Sequence, residues 1–157
     1  MPDMLTDETV FRAVQEAKPA IEALLASDFW IWGPRWVGII VISPKGKRLY
    51  GNFIGSDQTW DPEWGEVVDF LVIARDKAQI SHRTGLSSRE VIQNCPFLLE
   101  EGDRLYAGSV IRQGLIVAVS GAKSEADEAI AEMILALIIG TCHIKIRNLK
   151  EQEISQL

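Results

Sequence analysis

A lysine set inside a helical apolar pattern is the first place where this chain could do chemistry. Lys77 falls between Phe70, Ile73, Ile80 and Ser81 at helical spacing, away from the polar arc of Asp69, Asp76 and Arg83. An ammonium placed there must snorkel to water or meet an anion, because burying it unpaired is costly. Two readings stay open. Lys77 holds the carboxylate of a ligand, or it pairs with Glu66 or an acidic residue elsewhere in the chain. A second place is Val119-Ser120-Gly121-Ala122, where an apolar stretch runs into an acidic helical start at Ser124. Backbone N–H groups of Ser120 and Gly121 and the helix dipole can receive an anionic group there. The competing reading is that Gly121 only permits a tight turn and Ser124 only caps.

The five tryptophans lie between residues 30 and 64. Trp30, Trp32 and Trp36 can wall a flat apolar pocket, or they serve core packing and a subunit contact. Neither histidine forms a recognisable nucleophile arrangement with Ser or Cys in sequence, and no glycine-rich phosphate loop or paired metal ligands occur. No metal site is expected, and no catalytic residue can be assigned. Asp127, Glu128 and Lys77 are available for acid–base work, but the helix dipole already accounts for the acids.

These groups must be positioned by a small set of elements. Thr6 reads as the N-cap of a first helix over roughly 7–26, with Asp7 and Glu8 in its first turn and a kink or break expected near Lys18 because of Pro19. Val37 to Ile42 reads as a strand apolar on both faces. Ser43-Pro44-Lys45-Gly46-Lys47 then makes a turn, and Leu49 to Ile54 completes a hairpin. Such a strand needs a helix on one side and a helix or another subunit on the other. A helix follows from Glu66 to about Arg83. A short one capped by Ser87 or Ser88 runs to Asn94 and ends at Pro96, and strands are expected over Arg104–Ile111 and Leu115–Val119. The last helix is capped by Ser124 and extends to about residue 149. Ile130, Met133, Ile134, Leu137 and Ile138 form one stripe on it, with Leu135, Ile139, Cys142 and Ile146 off that stripe. A second apolar stripe points to self-association into a homo-oligomer, unless the sheet and first helix bury both.

At 157 residues with 47% apolar and 24% charged residues, the chain is expected to be one domain over 1–157. A net charge of -6 disfavours nucleic acid as a partner. The acidic start Met1 to Thr9 does not read as a secretory leader. The two cysteines, Cys95 and Cys142, do not make a disulfide framework, so a cytoplasmic setting is expected. The uninterrupted apolar run Met133 to Cys142 is about half of a bilayer span, which argues against a membrane.

In this order of elements, the chain resembles the GlcG/HbpS-like family, also called the haem-degrading domain family, which includes the carboxy-terminal domain of PduO-type proteins. The resemblance is carried by residues 38–49, by Ile73-Ala74-Arg75-Asp76-Lys77-Ala78-Gln79-Ile80-Ser81, and by Val119-Ser120-Gly121 with Glu125 and Asp127-Glu128-Ala129. It covers most of residues 10–139. It implies an α+β, profilin-like fold, with an antiparallel sheet of about five strands flanked by helices. It also implies frequent assembly into oligomers and a haem- or corrinoid-type cofactor in some members. Trp60-Asp61-Pro62-Glu63-Trp64, the Trp30, Trp32, Trp36 cluster and a short segment after Pro96 depart from the family pattern.

The resemblance therefore favours a small-molecule-binding protein with haem as first candidate, and Lys77, Ser120 and Gly121 holding the acidic groups of the ligand. An enzyme acting on a small carboxylated metabolite and an accessory subunit without ligand are the alternatives. Iron ligands would come from His82, His143, Cys95, Tyr50 or Tyr106.

Overall fold

A computed structural model describes residues 3–55 and 69–155. The segment Trp60 to Trp64, together with Glu66 and Val67, lies outside the described residues. The elements run α1 (Asp7–Leu25), β1 (Trp36–Ile42), β2 (Arg48–Gly55), α2 (Phe70–Thr84), α3 (Ser88–Asn94), a 3₁₀ turn (Pro96–Leu98), β3 (Ser109–Arg112), β4 (Leu115–Ser120) and α4 (Ser124–Ser155). The fold is α+β, as the sequence predicts.

The sheet is antiparallel in the order β2-β1-β4-β3. Among the described residues it has four strands rather than about five, and the sequence itself offers only four strand-like runs. Two glycine-containing turns close the hairpins. Gly46 takes φ 85° between β1 and β2. Gln113 and Gly114 take φ 51° and 87° between β3 and β4, the paired positive φ that lets a two-residue loop follow strand twist. The strand expected from Arg104 begins only at Ser109. Asp103 to Gly108 instead form an irregular approach, held where Ser88 Oγ receives the N–H groups of Gly108 and Ser109.

Alternation along β1 and β4 builds a three-layer arrangement. Val37, Ile39, Val41, Val117 and Val119 meet α1 and α4 in one core. Ile40, Ile116 and Ala118 meet Ala74 and Ala78 of α2 in a second, smaller one. Helices therefore cover both faces of β1, without another subunit. The α2 side is thin because Gly38 brings sheet and helix backbones together: a Cβ there would stand 2.7 Å from the Phe70 carbonyl carbon.

Thr6 caps α1 as expected, its Oγ1 accepting from Thr9 N–H. The break at Pro19 does not occur; α1 runs through it with Pro19 on the exposed face. α2 starts at Phe70 with Asp69 as its cap, later than Glu66. α4 starts at Ser124 itself, so Ser124 is the first helical residue and not the cap.

On α4 the buried line is Ile130, Ile134, Leu135 and Ile138, while Met133, Leu137 and Ile139 are half-covered and Ile144 is 50% exposed. Leu135 belongs to the buried stripe, and Met133 and Leu137 to the half-covered one. α4 is long and apolar enough to cross a membrane by length and composition, a longer apolar stretch than the uninterrupted run suggests. Of its most apolar window, 28% is buried within the chain.

Candidate functional site

The three residues singled out in sequence, Lys77, Ser120 and Gly121, meet at one cavity of about 290 Å³. α2 supplies Phe70, Ile73 and Lys77. The end of β4 and the turn beyond it supply Ser120, Gly121 and Ala122, and α4 supplies Ser124 and Asp127. Trp32, Pro34 and Tyr106 complete the wall. Burial at the floor contrasts with exposure at the mouth: Lys77 is 1% exposed, Trp32 72% and Tyr106 69%.

Lys77 stands on the buried stripe of α2. Its Nζ donates to Val119 O at 3.0 Å and to Asp127 Oδ2 at 3.2 Å. The other oxygen of Asp127, Oδ1, accepts Ala122 N–H at 2.9 Å, and Gly121 N–H adds to the same carboxylate. An anion does sit between the lysine and the strand-to-helix turn, and the chain supplies it itself. Of the readings open for Lys77, the acidic partner elsewhere in the chain is the one realised, as Asp127.

Asp127 lies in the first turn of α4, where the helix dipole favours an acid, and reaches back to the N–H groups of the strand-to-helix turn before it. Burial pushes its carboxyl up to about 6, opposed by Lys77 and by the Ala122 and Gly121 N–H groups. Burial also lowers the Lys77 ammonium, opposed by Asp127. Glu128, the neighbouring acid, is held by Arg89 of α3 at 2.8 Å.

The glycines around the pair are steric requirements. A Cβ on Gly108, at φ 150°, would stand 2.5 Å from Val119 O and 2.8 Å from Lys77 Nζ. A Cβ on Gly121, at φ 136°, would stand 2.4 Å from Trp36 O. Gly121 thus permits the tight turn against β1.

Ser120 is 5% exposed, faces the α2 side by alternation with Val119, and lines the cavity. Its hydroxyl makes no hydrogen bond among the described residues.

Of the iron ligands considered, Tyr106 alone lines this cavity. Tyr50 lines a separate depression between α1 and β2. His82 is exposed beside Gly46, His143 is exposed on α4, and Cys95 ends α3. Among the described residues there is no cluster of His, Cys, Asp and Glu suited to a metal. Trp30 and Trp36 do not line the cavity; Trp30 packs edge-on against Phe29 and Trp36 against Phe70.

Sequence reasoning missed one group beside the Trp32 wall. Lys123 Nζ lies 5.2 Å from the Trp32 ring centroid and 5.8 Å from that of Phe29. Its signal was a lysine directly before Ser124, the residue expected to cap the last helix.

No protein-family model matches the sequence, and no curated protein does. Solved structures do. The chain is similar to HbpS, with a TM-score of 0.55 at 21% identity over 87% of this chain and 92% of that one. It is similar to the Klebsiella pneumoniae protein ORFY, a DUF336 protein, with a TM-score of 0.53 at 16% identity over 87% and 90%. It is also similar to the Ybr137w protein, with a TM-score of 0.58 at 17% identity over 85% and 78%. These likenesses establish the GlcG/HbpS-like fold.

Proposed function

We propose that this chain is a small-molecule-binding protein whose site is the cavity between α2 and the β4–α4 turn, and that the ligand is compact and planar. The observation that carries the reading is Ser120. Its hydroxyl has no partner among the described residues and stays open to the cavity, where a ligand entering can take the place of water. Trp32, Phe70 and Tyr106 offer the flat apolar walls. Lys77 serves the site by holding Asp127 in place.

Haem is the largest candidate for this site. At about 290 Å³ the cavity stands at the lower end of the ~300–1,000 Å³ usual for drug-sized ligands, and a tetrapyrrole is not enclosed by it. Only an edge of the macrocycle would enter, with Tyr106 as the sole considered iron ligand at hand. A haemin titration of the purified protein, followed at the Soret band beside serum albumin as a nonspecific control, tests this. The expected result is a weak, unsaturable change. A saturable stoichiometric shift lost in Tyr106→Phe would instead place haem here.

The reading includes a second copy of the chain against α4. At 1.5 Å per residue, its 32 residues span about 48 Å against about 28 Å for the 19 of α1, so α4 outruns its neighbour. Its half-covered line of Met133, Leu137 and Ile139 leads on to the exposed Ile144. A bilayer is the poorer occupant, since crossing one would pull Ile130, Ile134, Leu135 and Ile138 out of the core. Sedimentation velocity should show an oligomer that Leu137→Glu with Ile144→Glu reduces to monomer. A monomeric parent that pellets with lipid vesicles overturns this part.

A further inference from the structure

We infer that Lys123, beside the Trp32 wall of the cavity, selects the ligand's charge, and that the ligand is an aromatic carboxylate whose ring lies against Trp32 and Tyr106. The inference rests on the binding reading above and assigns the charge recognition within it.

The floor of the cavity offers no net charge to a ligand. Lys77 is matched by Asp127, and the Ala122 and Gly121 N–H groups are already engaged by that carboxylate. A ligand anion at the floor would face Asp127 at close range. Beside the Trp32 wall the balance differs. Lys123 has no carboxylate within ion-pair distance among the described residues; its ammonium rests over Trp32 and Phe29 instead. Trp32 at once carries that cation over its ring and lines the cavity.

The backbone fixes where Lys123 stands. Its N–H donates to Trp30 O at 3.0 Å and its carbonyl accepts from Asp127 N–H at 2.9 Å, so it is locked to the tryptophan segment and to the start of α4. The nearest other charges are committed or turned away. Arg89 is paired with Glu128, and Glu125 lies beyond Ser124 along an adjoining depression. A single cation with no carboxylate partner among the described residues, standing over a ring of the cavity wall, matches a single negative charge carried on an aromatic ligand. The cavity volume admits one or two fused rings and the aromatic rim provides their stacking surface.

Titration calorimetry with 2-naphthoate and its neutral isostere 2-naphthamide provides the test. The parent protein should bind the acid about tenfold more tightly than the amide, as a charge-assisted contact implies. Lys123→Met should remove that preference and leave amide affinity unchanged, while Ser120→Ala should weaken both probes. If Lys123→Met keeps the preference, or the parent shows none, the role of Lys123 is overturned and the cavity stands. If neither probe binds the parent, or Ser120→Ala changes nothing, the cavity reading itself is overturned.

Discussion

One lysine lines the cavity, another stands over its Trp32 wall, and the two do opposite things. Lys77 is 1% exposed and spends its charge inside the chain, on Asp127 and Val119 O. Lys123 rests on aromatic rings with no carboxylate beside it among the described residues. A buried ammonium needs its anion at all times for the fold to persist, so it cannot also wait for a ligand. An ammonium over an indole keeps its field and loses little on standing alone. The lysine that looks most unusual in the sequence is therefore the structural one, and the ordinary one is left for recognition.

Breaking the floor pair should have the largest effect. Lys77→Met leaves Asp127 buried without its cation and should cost about 3–5 kcal/mol at pH 7, whereas Lys77→Met with Asp127→Leu should recover most of that. Urea unfolding of the three variants measures both. The sign of the pH dependence sharpens the point. Asp127 is raised from its ordinary 3.8 to about 6 in the fold, so its stabilising contribution is complete below the lower value and is lost as pH rises through the upper. Removing Lys77 takes away an opposing influence and drives the carboxyl higher still. The penalty of Lys77→Met should thus be smaller at pH 5 than at pH 8, and an equal penalty at both would show that the pair does not set it.

Gly108→Ala comes next, at about 1–3 kcal/mol, since a Cβ would stand 2.5 Å from Val119 O and the backbone sits at φ 150°. Loss of the Lys77–Asp127 contact should accompany it, driving the Asp127 carboxyl higher and showing as a steeper fall of stability as pH rises. Lys123→Met should be the mildest, within about 0.5 kcal/mol in the same assay, as befits a surface side chain.

Much of the fold is legible in the residues. The β-branched run from Val37, the Gly46 and Gly114 turns, and Thr6 before Asp7 fix strands, hairpins and a helix start through local chemistry alone. The errors occur where distant residues decide. The start of β3 is delayed because Ser88, on α3, captures the Gly108 and Ser109 N–H groups. α1 tolerates Pro19 because the proline falls on the solvent side of a helix anchored by Val14, Ala17 and Ile21. At the site, spacing marks Lys77 and the Ser120-Gly121 turn, which do converge. It does not reveal that Asp127 occupies the position a ligand anion was expected to take, because that contact joins residues 50 apart.

Gly38 acts as the spacer of the molecule. With no side chain on β1 at that point, the first turn of α2 rests directly on the sheet, and Phe70 is carried to the cavity wall by the same contact. The depth of the cavity is thus set by an atom that is missing from a strand rather than by any group that lines it. A one-carbon addition at Gly38 would lift the wall as a unit, which makes this position a natural dial for widening the cavity while its lining stays the same.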